Sequence, residues 1–133
     1  MHIEMLVLAW GCVLALVHIF ATAFALTGQY GSAWNAGPRD AEMPAPKPVA
    51  GRLKRAQANF FETFPLVIAA VAMLGIAGVH THSTAIGAHL WLGARILYLP
   101  LYVFGVTYVR SLAFLVSLAG IVMMLWPMLF LIH

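Results

Sequence analysis

The sequence predicts an all-α membrane protein, one bundle of four transmembrane helices whose consecutive members run antiparallel. Three observations carry this. The first is composition: 63% of the 133 residues are hydrophobic and 8% are charged, with a mean hydropathy of +0.94, whereas about a quarter of a typical soluble domain is charged. That leaves too little polar surface to cover a globule in water. The second is the presence of four apolar runs, at residues 3–26, 60–79, 85–108 and 112–132, each near the roughly 20 residues a helix needs to cross about 30 Å of hydrocarbon. The third is the absence of strand-period alternation in those runs, which argues against a β-barrel.

The elements follow in chain order. The first run, Ile3–Leu26, opens on "MHIEM" without Lys or Arg. It is also longer than the apolar region of a signal peptide, so it reads as a span and not as a cleaved leader. It holds the single cysteine, Cys12, which can form no intramolecular disulfide and is expected to pack as a small core hydrophobe. Residues 27–54 form the one long connection. It is rich in Gly, Pro and Ala, and "PAPKP" at Pro44–Pro48 favours an extended, polyproline-like path, so the segment is expected to be a flap or linker and not a folded unit.

The second run, Phe60–Val79, ends at "HTHS" (His80–Ser83), and the third, Ala85–Tyr108, ends at "VRS" (Val109–Ser111) before the fourth, Leu112–Ile132. Short connections make sequential spans antiparallel neighbours. Pro65, Pro100 and Pro127 fall inside spans, where proline kinks a helix and opens room in a bundle. The whole chain, 1–133, reads as a single domain.

Five of the seven basic residues (Arg39, Lys47, Arg52, Lys54, Arg55) lie between spans one and two, and Arg110 lies between spans three and four. The positive-inside rule then puts loops 27–54 and 109–111 in the cytoplasm and both termini outside, as expected of a multi-pass protein of the plasma membrane. Basic charge here orients the chain and gives no reason to invoke nucleic acid. His2, His80, His82 and His133 fall at the outer face. Without carboxylate or cysteine support, the H-x-H pair is not read as a metal site.

Polar residues also enter the spans. At about 100° per residue, Arg52, Arg55, Asn59 and Glu62 share a stripe roughly 80° wide that descends into the second span. In the third span Arg95, Tyr98 and Tyr102 share a second stripe with Trp91 and Gly105. A charged side chain at the centre of a membrane helix costs about 2.5–3.5 kcal/mol on insertion scales, so these stripes face the bundle interior and need partners. One reading is a buried ion pair, Glu62 with Arg95, that fixes helix register. The other is a polar pocket open to the cytoplasmic side, where arginines meet carboxylates, the glutamate meets an ammonium, and Asn and Tyr meet peptide groups. Small residues along span two (Ala69, Ala70, Ala72, Gly75) and span four (Ala113, Ser117, Gly120) permit close helix approach and point to a homo-oligomer in lipid.

"RAQANFFETFP" (Arg55–Pro65) resembles the signature of the MAPEG superfamily, the membrane-associated proteins in eicosanoid and glutathione metabolism. There an Arg, an Asn and a Glu stand at this spacing near the start of the second of four transmembrane helices. Arg95, Tyr98 and Tyr102, followed by Arg110–Ser111, resemble the family's third helix and the turn after it, and "TGQ" (Thr27–Gln29) resembles a common ending of its first helix. The pattern is closer to bacterial members: Ala58 stands where many relatives have a second Arg, Tyr98 where some have His, and Phe114 where several have Tyr.

The resemblance implies a homotrimer with glutathione bound between subunits at the cytoplasmic side, and a glutathione transferase or peroxidase of a detoxifying kind. It implies that Arg55, Asn59, Glu62 and Tyr102 hold the tripeptide, that Arg95 is a buried third-helix arginine, and that Tyr98 belongs to the same set. Arg110, with Ser111 beside it, then corresponds to the arginine that stabilises the thiolate. A free thiol has a pKa of about 8.5, and a hundredfold gain in thiolate takes about 2.7 kcal/mol, within reach of one guanidinium in a partly desolvated site. The implied second substrate is a hydrophobic small molecule, an electrophile or a lipid hydroperoxide, arriving from the membrane lipids. The alternative is a non-catalytic membrane scaffold or small-ligand-binding protein of the same fold.

Overall fold

The computed structural model describes residues 2–130, so the end of the expected fourth span and His133 lie outside the described residues. Four long helices and one short one appear: α1 (Ile3–Tyr30), α2 (Ser32–Ala36), α3 (Pro48–Ala77), α4 (His82–Val103) and α5 (Tyr108–Phe130). The four long ones are long and apolar enough to cross a membrane. α4 is the least apolar of them, with a mean hydropathy of 1.2 against 2.0–2.2 for the others, because it carries Arg95 and two tyrosines along its inner side.

Helix ends fall where the backbone demands them. Gly31, at φ 96°, stops α1 a turn beyond the expected Leu26, and Gly78, at φ 68°, caps α3 in the left-handed conformation glycine adopts without penalty. At the start of α4, Thr81 and Thr84 close a reciprocal cap: the Thr84 amide donates to Thr81 Oγ1 over 3.1 Å, and the Thr81 amide to Thr84 Oγ1 over 2.9 Å.

Two expected boundaries are corrected. α3 starts at Pro48 and not near Phe60, since proline at the first helical position is already pre-set for a helix. At 30 residues it is about 45 Å long, so its first turns stand proud of the apolar slab and carry the basic residues on a helix. The turn between α4 and α5 lies at Phe104–Thr107, with Gly105 at φ 74°. It does not lie at Val109–Ser111, so Arg110 and Ser111 sit in the first turn of α5.

The long connection is tied down more than a free linker would be. It contains α2, and the Gln29 amide grips its return path: Nε2 donates to Ala45 O over 3.0 Å while Oε1 accepts from the Lys47 amide over 2.8 Å. The Tyr30 hydroxyl donates to Pro44 O.

In the packing, α3 and α4 occupy the middle. α1 lies against both on one side and α5 against both on the other, and among the described residues the backbones of α1 and α5 are not packed together. The core cluster joins Phe60, Phe64, Val67 and Leu74 of α3 to Trp91 of α4, Val7 and Leu14 of α1, and Ile121 and Met124 of α5, with Phe60 and Phe64 lying against the Trp91 ring. The Phe64 and Trp91 rings lie within 5° of parallel, centroids 5.8 Å apart. α4 and α5 approach most closely at Gly87 and Gly120: a Cβ at Gly87 would lie 2.7 Å from Gly120 O, and one at Gly120 would run into Gly87 O. Small residues are what allow this approach in lipid. Cys12 is exposed, not in the core, and shares the outer face of α1 with Trp10, Phe20 and Phe24. In a membrane an apolar residue is as well placed against lipid as inside.

The bundle thus has a basic end, where the α1–α3 connection and the α4–α5 turn lie, and a histidine end, where α1 begins and α3 turns into α4.

Candidate functional site

At the basic end a cleft of about 510 Å³ opens between α3, α4 and α5. Its walls are Arg55, Asn59 and Glu62 from α3, Tyr98 and Tyr102 from α4, and Arg110, Ser111 and Phe114 from α5. Seven of the eight residues singled out from the sequence therefore meet in one place. They come together because α3 descends from the basic end while α4 climbs toward it. Arg55, Tyr102 and Arg110 form the mouth; Glu62, Tyr98 and Phe114 form the floor.

The eighth, Arg95, does not line the cleft. It is fully buried behind it, where Nη1 donates to Asn59 Oδ1 over 2.8 Å and the guanidinium lies over the Tyr98 ring at 4.3 Å and the Phe60 ring at 5.3 Å. The Glu62–Arg95 pair, one of the two readings of the stripes, does not form: the partner of Arg95 is Asn59, and Glu62 stays exposed in the cleft. Glu62 lies nearly a full turn beyond Asn59, and the register between α3 and α4 sets the amide opposite the guanidinium. A guanidinium only donates, so the atom facing it must be the amide oxygen. The Asn59 NH₂ is then the group left for the cleft.

Tyr102 stands between two cations. Arg55 Nε donates to its hydroxyl over 3.3 Å, and the Arg110 guanidinium lies over its ring at 4.5 Å. With its oxygen accepting from Arg55, the hydroxyl keeps its own hydrogen for a further acceptor. Ser111 is less free, because its Oγ donates over 3.2 Å to Thr107 O in the turn that leads into its helix. Among the described residues neither Arg55 nor Arg110 has a carboxylate partner; the one close contact of a basic side chain with a carboxylate there is His80 Nδ1 to Glu4, at 3.5 Å. The cleft presents two uncompensated positive charges at its mouth and one negative charge deeper in.

Arg52 and Trp91 play other parts than the stripes suggested. Arg52 Nη1 donates to Val103 O over 3.2 Å and lies against Gly105, closing the end of α4. Trp91 belongs to the core. The opposite side of α3 borders a second groove, also about 510 Å³, between α1, α2 and α3, with Arg39, Lys54 and Gln57 on its rim. That groove has no acid and is mostly apolar, so it lacks the paired charges of the cleft.

The sequence matches the MAPEG family over residues 7–130. The chain belongs to the MAPEG family. It is a multi-pass membrane protein of that family, all-helical with four spans, as its sequence predicted. A comparison with curated proteins finds no match.

Sequence reasoning passed over two inward-facing groups of this MAPEG protein. At the histidine end Glu4 is 2% exposed, accepts from the Thr84 hydroxyl and lies 3.5 Å from His80 Nδ1, while the His80 ring stacks on His2 at 3.3 Å. Halfway along α1, His18 is 1% exposed and stacks on Phe60 at 4.6 Å. The signal in both cases was an ionisable residue inside an apolar span, which by itself marks an inward-facing position.

Proposed function

We propose that the cleft binds glutathione and activates its thiol, making this protein a membrane glutathione transferase or peroxidase for hydrophobic electrophiles or lipid hydroperoxides. The observation that carries the reading is the convergence of two uncompensated arginines, a free amide, a free tyrosine hydroxyl and one carboxylate on a single cleft at the basic end, in a member of a family that resembles this chain in those positions. Arg55 to Glu62 spans seven residues of helix, about 10 Å, which is about the reach of an extended tripeptide. Arg55 takes a carboxylate of the peptide, the Asn59 NH₂ a carbonyl, and Glu62 the ammonium. Arg110 faces the thiol, and Tyr102 donates the hydrogen its hydroxyl retains.

In the transferase reaction the thiol loses its proton to water, and the thiolate sulfur forms a bond to the electrophilic carbon while the leaving group departs with its electron pair. Arg110 stabilises the anion, and the exposed apolar faces of the helices let the second substrate approach from lipid. The positive-inside rule puts the basic end, and so the cleft, in the cytoplasm, and the subunits assemble as a homotrimer. The test is an ultraviolet difference spectrum of the purified protein with glutathione. The expected result is a saturable thiolate absorbance near neutral pH. Glutathione binding without thiolate points to a non-catalytic binding protein, and no binding at all removes the proposal.

A further inference from the structure

The hydrogen bonds of Arg95 leave much of that side chain without a partner. It is 0% exposed; Nη1 donates to Asn59, yet Nε and Nη2 are buried with no protein partner. Its charge meets only aromatic faces and one neutral amide. Buried polar groups are nearly always hydrogen-bonded, and a buried charge left short of partners is costly.

The complementary group packs on the same Phe60 ring. His18 Nδ1 is 2.9 Å from Leu14 O; a carbonyl only accepts, so Nδ1 carries the hydrogen and the neutral ring has a lone pair at Nε2. That nitrogen is buried and has no protein partner. His18 and Arg95 pack on the same Phe60 ring, at 4.6 Å and 5.3 Å, at the place where α1, α3 and α4 meet. Thr22, one turn further along the same face of α1, buries an Oγ1 that also has no protein partner. Of these, His18 Nε2 on α1 and Arg95 Nε and Nη2 on α4 are unpartnered groups that share one ring, while Thr22 borders the groove between α1, α2 and α3.

We propose that ordered water between α1, α3 and α4 joins His18 Nε2 to Arg95 Nε and Nη2, and that this makes His18 a positioning residue for the cleft. A water there donates to His18 and accepts from Arg95, which satisfies both, and internal waters characteristically make about three such bonds. Held at several corners, the Arg95 fork keeps Nη1 on Asn59 Oδ1, and the Asn59 NH₂ stays turned toward the cleft. Without His18 the fork is held at one corner, and the amide is free to swing.

The ligand readout rests on glutathione binding; the stability readout does not. His18→Phe keeps the ring on Phe60 and removes the acceptor, whereas His18→Gln places an oxygen near Nε2. His18→Phe should raise Kd and KM for glutathione about tenfold with kcat for a reactive aryl halide little changed, the scale of one lost hydrogen bond to a charged group, and His18→Gln should recover most of it. In an Arg95→Met background His18→Phe should have no further effect on Kd, and the melting shifts of the two changes should fail to add. A high-resolution structure of the unliganded protein should show water between the two side chains. A dry contact there, additive melting shifts, or unaltered glutathione affinity in His18→Phe overturns the proposal. If the parent protein does not bind glutathione, the proposed function falls, while the melting cycle and the water still decide the role of His18.

Discussion

The 2.8 Å bond from Arg95 Nη1 to Asn59 Oδ1 joins a side chain wholly inside the bundle to one that faces the cleft. It settles which end of the amide a ligand meets. Asn59→Asp should therefore move stability and binding in opposite directions. The carboxylate gives Arg95 a charged partner, worth about 1 kcal/mol more than the neutral bond it replaces, but removes the only donor at that position. The expected outcome is a higher melting temperature in detergent with little or no further rise on adding glutathione. A variant that both melts lower and still gains from glutathione would contradict this geometry.

Glu62→Gln separates two roles cleanly, because Glu62 is exposed in the cleft and not paired with Arg95. Thermal stability without ligand should stay within about 0.5 kcal/mol of the parent, as for surface changes generally. Glutathione affinity should fall about tenfold or more, since a charge-assisted contact to the ammonium is lost. Isothermal titration alongside melting curves reads both.

Arg110→Ala should leave Arg55, Asn59 and Glu62 in place, so glutathione still binds while its thiol returns toward a pKa of about 8.5. Turnover with an aryl halide should drop by roughly a hundredfold or more, the scale of losing an oxyanion-stabilising donor. Arg110→Lys should restore part of it, since an ammonium keeps the charge without the planar fork. Full activity in the alanine variant would reduce Arg110 to a topology anchor.

Gly120→Ala tests the seam between α4 and α5. The added methyl meets backbone, Gly87 O and the Trp91 amide, and not a side chain that can turn away. Overpacking of this kind costs about 1–3 kcal/mol. The change should lower the melting temperature markedly, whereas Gly93→Ala on α4 meets nothing within 4 Å and should not.

The four spans were legible because a long apolar run is a one-dimensional signal. The inward stripe on α3 was legible because helical period alone puts Arg55, Asn59 and Glu62 on one side. What the sequence could not supply was the register between helices. Hence charge alone left Glu62 as a candidate partner of Arg95, where the fold gives it Asn59. The α4–α5 turn was placed at Arg110, the conspicuous polar residue, where Gly105 makes it. Cys12 was sent to the core because lipid and core reward an apolar side chain alike. His18 and Glu4 went unmarked because each is a single polar residue without a periodic companion.

The glycine contact between α4 and α5 also bears on how the cleft is put together. Only residues 104–107 separate the two helices, so the pair can form one hairpin locked across Gly87 and Gly120 without contacts to α1 or α3. Tyr98, Tyr102, Arg110 and Ser111 all sit on that hairpin. Half the cleft thus belongs to one hairpin, and it is completed only when that hairpin packs on α3 with Arg55, Asn59 and Glu62. A chain in which that docking fails leaves Arg95 without Asn59, its one hydrogen-bond partner among the described residues.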